Sequence, residues 1–188
     1  GGSGTQGYAY YSSAGSYENG FDGAVIMHNS FGYDPNSDLG YNLKSYTRLN
    51  ATFAHEMGHA LNLKHTFEGD EGGSSCPENI NCFLDGDEVC DTDPHTRNDG
   101  GCGDSGPTCI GNGTDLSDVV INYMSYSAQS CKTKFSVGQK DRMVEAILND
   151  RSTLLQSLAC TGILIFGCTD SEACNYDNLA NSDDGSCE

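Results

Sequence analysis

The order of apolar and polar residues divides the chain into a patterned first third, an irregular middle, one further helix and a polar tail. "GYAYYSS" (7–13) and "DGAVIMHNSF" (22–31) are rich in aromatic and β-branched residues, with a Gly/Ser/Asn segment between them. Such runs predict two strands joined by a turn, the second apolar enough for burial on both faces. "SYTRLNATFAHEMGHALN" (45–62) sets Leu49, Phe53, Ala60 and Leu61 at helical spacing without an interrupting proline, which predicts a helix.

Between Glu68 and Asp118 the periodicity stops, and Gly, Asp, Asn, Pro and five cysteines take over. A loop this long in a compact domain must be held by cross-links or ions. "VVINYMSYS" (119–127) reads as a short buried segment leading into a turn. "SVGQKDRMVEAILNDRSTLLQSL" (136–158) reads as a second helix, with Ser136 and Gln139 as a capping-box pair and Met143, Val144, Ile147 and Leu148 as its apolar face. The last segment, "GCTDSEACNYDNLANSDDGSCE" (167–188), is too short and polar to build a core of its own.

Charge narrows the partners. With 27 acidic against 9 basic residues the net charge is -18, which opposes binding to nucleic acid or anionic membrane surfaces. No apolar run is long enough to span a membrane, so no membrane insertion is expected; "GILIFG" (162–167) is far too short. The ten cysteines include no Cys-x-x-Cys pair, which favours disulfides and an oxidising, secreted or cell-surface setting. Six lie in 76–131 and four in 160–187, two even sets that fit separate cross-linking; the pairing itself is left open. The chain starts without methionine and shows no signal peptide, as expected of a processed piece of a secreted precursor.

The chemistry concentrates in "HEMGHALNLKH" (55–65), which holds three of the five histidines. On a helix, His55 and His59 at i and i+4 project from one face, about 6 Å apart, and can share a zinc ion. Glu56 is placed to act on a water at the metal as general base without ligating it. His65 lies too far along to share that face, so the chain must turn sharply after the helix. Asn62 suits that turn, since Asn is the residue after Gly that best tolerates positive φ, at a strain of about 1 kcal/mol. Three neutral nitrogen ligands leave the fourth position open, as catalytic zinc sites require.

This motif together with "NYMSY" (122–126) resembles the metzincin metallopeptidases, and "HTFEGD" (65–70), "GDEVCDTDP" (86–94) and "NYMSYSAQSCKTKFSVGQKDRM" (122–143) resemble the pappalysin or cytophagalysin family within them. The resemblance covers residues 7–158. It implies an α/β (α+β) zincin fold with a small mixed sheet, an active-site helix, an irregular lower half tied by disulfides, a C-terminal helix and a short tail. It implies zinc on His55, His59 and His65, Glu56 as general base, Met124 as the Met-turn residue below the metal, and Tyr126 steadying the oxyanion. Protein or peptide substrates would pair with an edge strand, for which "GYAYY" (7–11) is the candidate.

Two departures follow. Only 54 residues precede His55, so the chain is expected to lack the first part of the metzincin sheet. The preference of some pappalysin-like enzymes for basic residues depends on a carboxylate beyond the Met-turn, and "SAQSC" (127–131) has none.

Asp85, Asp87, Asp91 and Asp93 are candidate calcium ligands, being several hard oxygens in one short loop. The tail resembles cysteine-bearing repeats near the C-termini of secreted Bacteroidota proteins, which divides the chain into a catalytic domain (1–160) and a tail repeat (161–188). Asn50 and Asn112 begin N-x-Thr sequons, the first treated as accidental because it falls in the helix. The function expected is a secreted zinc endopeptidase; the alternative is a non-catalytic, calcium-stabilised surface binding or spacer module that retains the zinc site.

Overall fold

The computed structural model describes residues 5–12, 22–97, 101–103, 109, 116–156 and 165–188. The turn between the first two strands, Asn112, Cys160 and the far end of the second predicted helix (157–158) lie outside them. The chain forms two compact units, Gly1–Arg151 and Ser152–Glu188.

In the first unit, β1 (Gly7–Ala9) pairs antiparallel with β2 (Ala24–Ile26), with Tyr8 opposite Val25. Both strands are shorter than the apolar runs that announce them. Burial of β2 on both faces is not observed: Val25 is 50% exposed, because this sheet has two strands among the described residues and α1 covers one face of it. A 3₁₀ turn (His28–Ser30) follows β2 directly.

Helix α1 (Ala51–Ala60) packs against both strands. It begins six residues later than the periodicity predicts. Leu49 bridges Tyr33, and Arg48 accepts from the Asp34 N–H, so this stretch is extended and cannot also be helical. Asn50, at φ 59, turns the chain into the helix, and its side-chain oxygen accepts from Gly32 N–H.

The irregular middle is organised by cross-links. Cys76–Cys109, Cys82–Cys90 and Cys102–Cys131 are disulfide-bonded. The bridges spanning 33 and 29 residues each remove about 3–4 kcal/mol of chain entropy from the unfolded state in the loop-closure account. Asp70 anchors the same region: Arg97 donates to both of its oxygens, at 2.9 and 2.7 Å, and its guanidinium lies over the Phe67 ring.

A short helix, α2 (Leu116–Val120), buries Val119 and Val120 and leads into the turn that carries Met124. Helix α3 (Val137–Asn149) has the expected capping box between Ser136 and Gln139. Its docking face differs from the apolar one predicted. Gln139 and Ala146 are buried, whereas Val144 and Leu148 are exposed. The helix is attached by polar contacts: Gln139 Oε1 accepts from Asn122 Nδ2, and Arg142 donates to the Asn62 carbonyl and to Glu88. It ends at Asn149, where the Asp150 and Arg151 N–H groups both bond the Ala146 carbonyl, and the two side chains reach Ser12 and the Ala60 carbonyl.

The second unit contains a 3₁₀ turn (Ser152–Gln156) and a short parallel pair, β3 (Phe166–Gly167) with β4 (Ser182–Asp183), stapled by Cys168–Cys187. Every bridge observed lies within one of the two cysteine sets. Among the described residues Cys174 has no disulfide partner. No helix among the described residues is long and apolar enough to cross a membrane.

Candidate active site

Helix α1 ends in a Schellman turn, and that turn builds the site. The Leu63 N–H bonds the Gly58 carbonyl and the Asn62 N–H bonds the His59 carbonyl, with Asn62 at φ 69. Leu63 is completely buried beyond it. The reversal carries His65 back to the helix, where its Nε2 lies 3.2 Å from that of His59. The ligand atoms of His55, His59 and His65 all fall within 4.8 Å of one another, and among the described residues they are the one group of three or more His, Cys, Asp or Glu placed to hold a metal.

Tautomers follow from the partners. His55 Nδ1 is 2.7 Å from the Tyr123 carbonyl and His59 Nδ1 is 2.7 Å from the Leu63 carbonyl. A carbonyl only accepts, so both Nδ1 atoms carry the proton and both Nε2 lone pairs are free for a metal. Burial lowers the proton affinity of all three rings, that of His65 to about 3. The rings are therefore neutral at physiological pH, as ligation demands. Tetrahedral zinc with Zn–N near 2.05 Å needs ligand nitrogens about 3.3 Å apart, and the His59–His65 separation meets this. The residues fit zinc.

Glu56 is 6% exposed, and burial raises its pKa to about 7, with Lys132 pulling it down. Gly7 of β1 lies against its carboxylate, in a space that a side chain would fill. Met124 is fully buried; its backbone N–H bonds Asn122 Oδ1, and its sulfur packs on Gly58 of α1. Tyr126 is 40% exposed, its ring 4.8 Å from that of His65 and 6.0 Å from that of His55. Phe67 stacks on His65 at 4.8 Å and meets Tyr126 edge-on at 4.6 Å.

The acidic loop is arranged differently. Asp85 accepts from Ile80 N and Asn81 N, Asp87 from Val89 N and Thr92 Oγ1, and Asp91 from Ser136 Oγ and Gly138 N at the start of α3. Asp93 lines a cleft with Asp91, Asp118 and Lys134. Asp85, Asp87 and Asp91 thus accept from separate donors, and the four aspartates are not among the groups of described residues placed to hold a metal.

Several residues at the site carry no sequence signal. Tyr11 packs edge-on against His59 at 5.6 Å. Lys132 donates to the Ser125 and Tyr123 carbonyls at 2.6 and 3.3 Å. Glu88 bonds both Lys64 and Arg142, and Arg142 holds the Asn62 carbonyl at 2.7 Å. Gly7 and Tyr11 fall in the run read as the edge strand, with no role of their own, and Lys132 lies one residue beyond the segment searched for a carboxylate. His95, the remaining buried histidine, is structural: its nitrogens meet the Thr96 carbonyl and Thr66 Oγ1.

A two-histidine helix, a reversal returning the third imidazole and a buried methionine turn below them define the scaffold of a metzincin-type metallopeptidase. Comparison with known proteins makes the assignment specific. Residues 2–148 match the peptidase family described as pregnancy-associated plasma protein-A, and the chain belongs to that family. An extracellular metalloprotease of Colletotrichum graminicola is 37% identical over 140 residues, which is 73% of this chain and 43% of that protein. Mature mirolysin of Tannerella forsythia in complex with a cleaved peptide superposes with a TM-score of 0.56 at 29% identity, over 76% of this chain and 47% of that one. Promirolysin from the same organism gives 0.59 at 25% identity, over 82% and 46%. The chain thus spans a little under half the length of these relatives.

Proposed function

We propose that this chain carries the catalytic centre of a secreted zinc endopeptidase. The observation that supports this most is the convergence of three neutral imidazoles, two of them oriented through Nδ1 by backbone carbonyls, beside a buried carboxylate whose pKa is about 7. That value suits a group that must take a proton and return it near neutral pH.

Zinc, when bound, polarises the scissile carbonyl and makes the attacking water more acidic. Glu56 takes the proton of that water and passes it to the leaving amine. Tyr126 donates its phenolic hydrogen bond to the carbonyl oxygen as negative charge grows there. Met124 supports the floor of the site without touching substrate. β1 offers the substrate backbone an antiparallel partner, and the cleaved peptide bound to mirolysin supports a peptide substrate. The extracellular naming of the fungal relative supports secretion, as do the disulfides. Zinc alone is proposed as the metal; calcium at residues 85–93 has no support in that loop's geometry. The tail, 161–188, is read as a spacer repeat outside the catalytic part.

The test is digestion of a mixed peptide library by the zinc-loaded chain and its Glu56→Gln variant, read by mass spectrometry. Cleavage by the parent alone, with equal zinc in both, is expected. Cleavage by both at the same rate overturns the assignment of Glu56. Cleavage by neither points to a binding module.

A further inference from the structure

The Met-turn carries a cation that forms no ion pair among the described residues. Lys132 is half-buried, and its ammonium nitrogen is held between two backbone carbonyls, those of Ser125 and Tyr123, on either side of Met124. No carboxylate of the described residues forms an ion pair with it. An ammonium has three N–H donors, and these two bonds use two of them.

The position of the group ties it to the site. The Tyr123 carbonyl that accepts from Lys132 also accepts from His55 Nδ1. Glu56 and the three histidines all lie within electrostatic reach of the Lys132 ammonium, and Glu56 is the counter-charge among them. Burial holds the lysine itself down to about 8, with Glu56 opposing the shift, so it is mostly charged at pH 7. Its backbone is fixed by the neighbouring Cys102–Cys131 bridge and by its own N–H bond to the Gln129 carbonyl. A lysine tethered at both ends gives up little further entropy on meeting a ligand. The same segment, 127–131, has no carboxylate to attract a basic side chain.

We propose that Lys132 is a specificity-determining residue of this cleft, its carbonyl-held ammonium receiving an acidic side chain of the substrate beside the scissile bond. The assignment rests on reading the site as a peptide-binding cleft. A half-buried charge held by carbonyls and by the field of Glu56, with no ion pair, is costly, and a substrate carboxylate supplies the missing pair. The net charge of -18 repels strongly acidic chains as a whole. The substrate class is therefore a neutral or basic peptide with a single Asp or Glu at the cut.

The experiment uses one neutral peptide sequence with Asp, Asn or Lys scanned through successive positions. Cleavage is measured with the zinc-loaded chain, and binding by fluorescence anisotropy with its Glu56→Gln variant. At one position Asp is expected to exceed Asn by about 10-fold or more in rate and affinity, the scale of a hydrogen bond to a charged group. The preference should vanish in Lys132→Gln, turn towards Lys in Lys132→Glu and persist in Lys132→Arg. Equal treatment of Asp and Asn by the parent overturns the proposal, as does failure of every peptide to bind. A uniform fall across the panel in all three variants also overturns it, and leaves Lys132 as a strut of the turn. Asp-selective binding without cleavage would keep the specificity and sink the peptidase reading; cleavage without Asp selectivity would do the reverse.

Discussion

A methyl group on Gly7 would lie 2.9 Å from Glu56 Oε1, and equally close to Glu56 Cγ and the Val25 carbonyl. The strand proposed to receive substrate and the proposed general base are thus in direct contact, with no room for a side chain between them. Gly7→Ala is expected to displace the carboxylate while leaving the three imidazoles in place. A misplacement of about 1 Å costs on the order of 10²-fold in rate. Steady-state kinetics with zinc content measured in parallel checks this; unchanged kcat/KM would show that Glu56 shifts freely.

Gly58 stands in the same relation to Met124. A Cβ there would overlap the Met124 sulfur and lie 3.3 Å from the Phe135 ring. Since Met124 is fully buried, Gly58→Ala should destabilise the first unit by about 1–3 kcal/mol, the usual cost of overpacking. Denaturant unfolding measures it. Pairing the change with Met124→Leu, which removes the sulfur, should recover part of the loss.

Asn62 sits at φ 69 between the helix that carries two imidazoles and the strand of chain that carries the third. Asn62→Gly relieves strain of about 1 kcal/mol or less, and the Arg142 bond to its carbonyl is unaffected. Zinc affinity should stay within about 2-fold of the parent, since a change that small moves an equilibrium little. A large gain measured by competition with a chelator would show that Asn62 weakens the site. Arg142→Ala, by contrast, removes the bond to the Asn62 carbonyl and one of the two bonds on Glu88, and should lower zinc affinity.

Asp87 gives stability an opposite pH dependence to that of most carboxylates. Burial raises its pKa to about 7, against the hydrogen bonds from Thr92 and Val89 that favour the charged form. A carboxyl whose folded pKa lies above its unfolded value stabilises below about pH 4, and that stability is lost as pH rises through 7. The swing is roughly 2–4 kcal/mol. Thermal melts of the parent should therefore fall between pH 4 and 7 by more than those of Asp87→Asn. Parallel curves would show that Asp87 is charged throughout, as a bound cation would make it.

What could be read from sequence was local. The i, i+4 spacing places His55 and His59 on one helix face whatever surrounds them, and positive φ at Asn62 follows from the need to reverse the chain within six residues. The capping box of Ser136 and Gln139 is likewise set by residues three apart. Tertiary structure decided the rest. Leu49 pairs with Tyr33 across fifteen intervening residues, which shortens the predicted helix. α3 turns its Gln139, Arg142 and Ala146 stripe inward because polar partners at Asn122, Asn62 and Glu88 outweigh the burial of Val144 and Leu148. Disulfide partners, the notch at Gly7 and the coupling of the Lys132 ammonium to Glu56 depend on distances between segments far apart in the chain. No periodicity encodes such distances; only packing sets them.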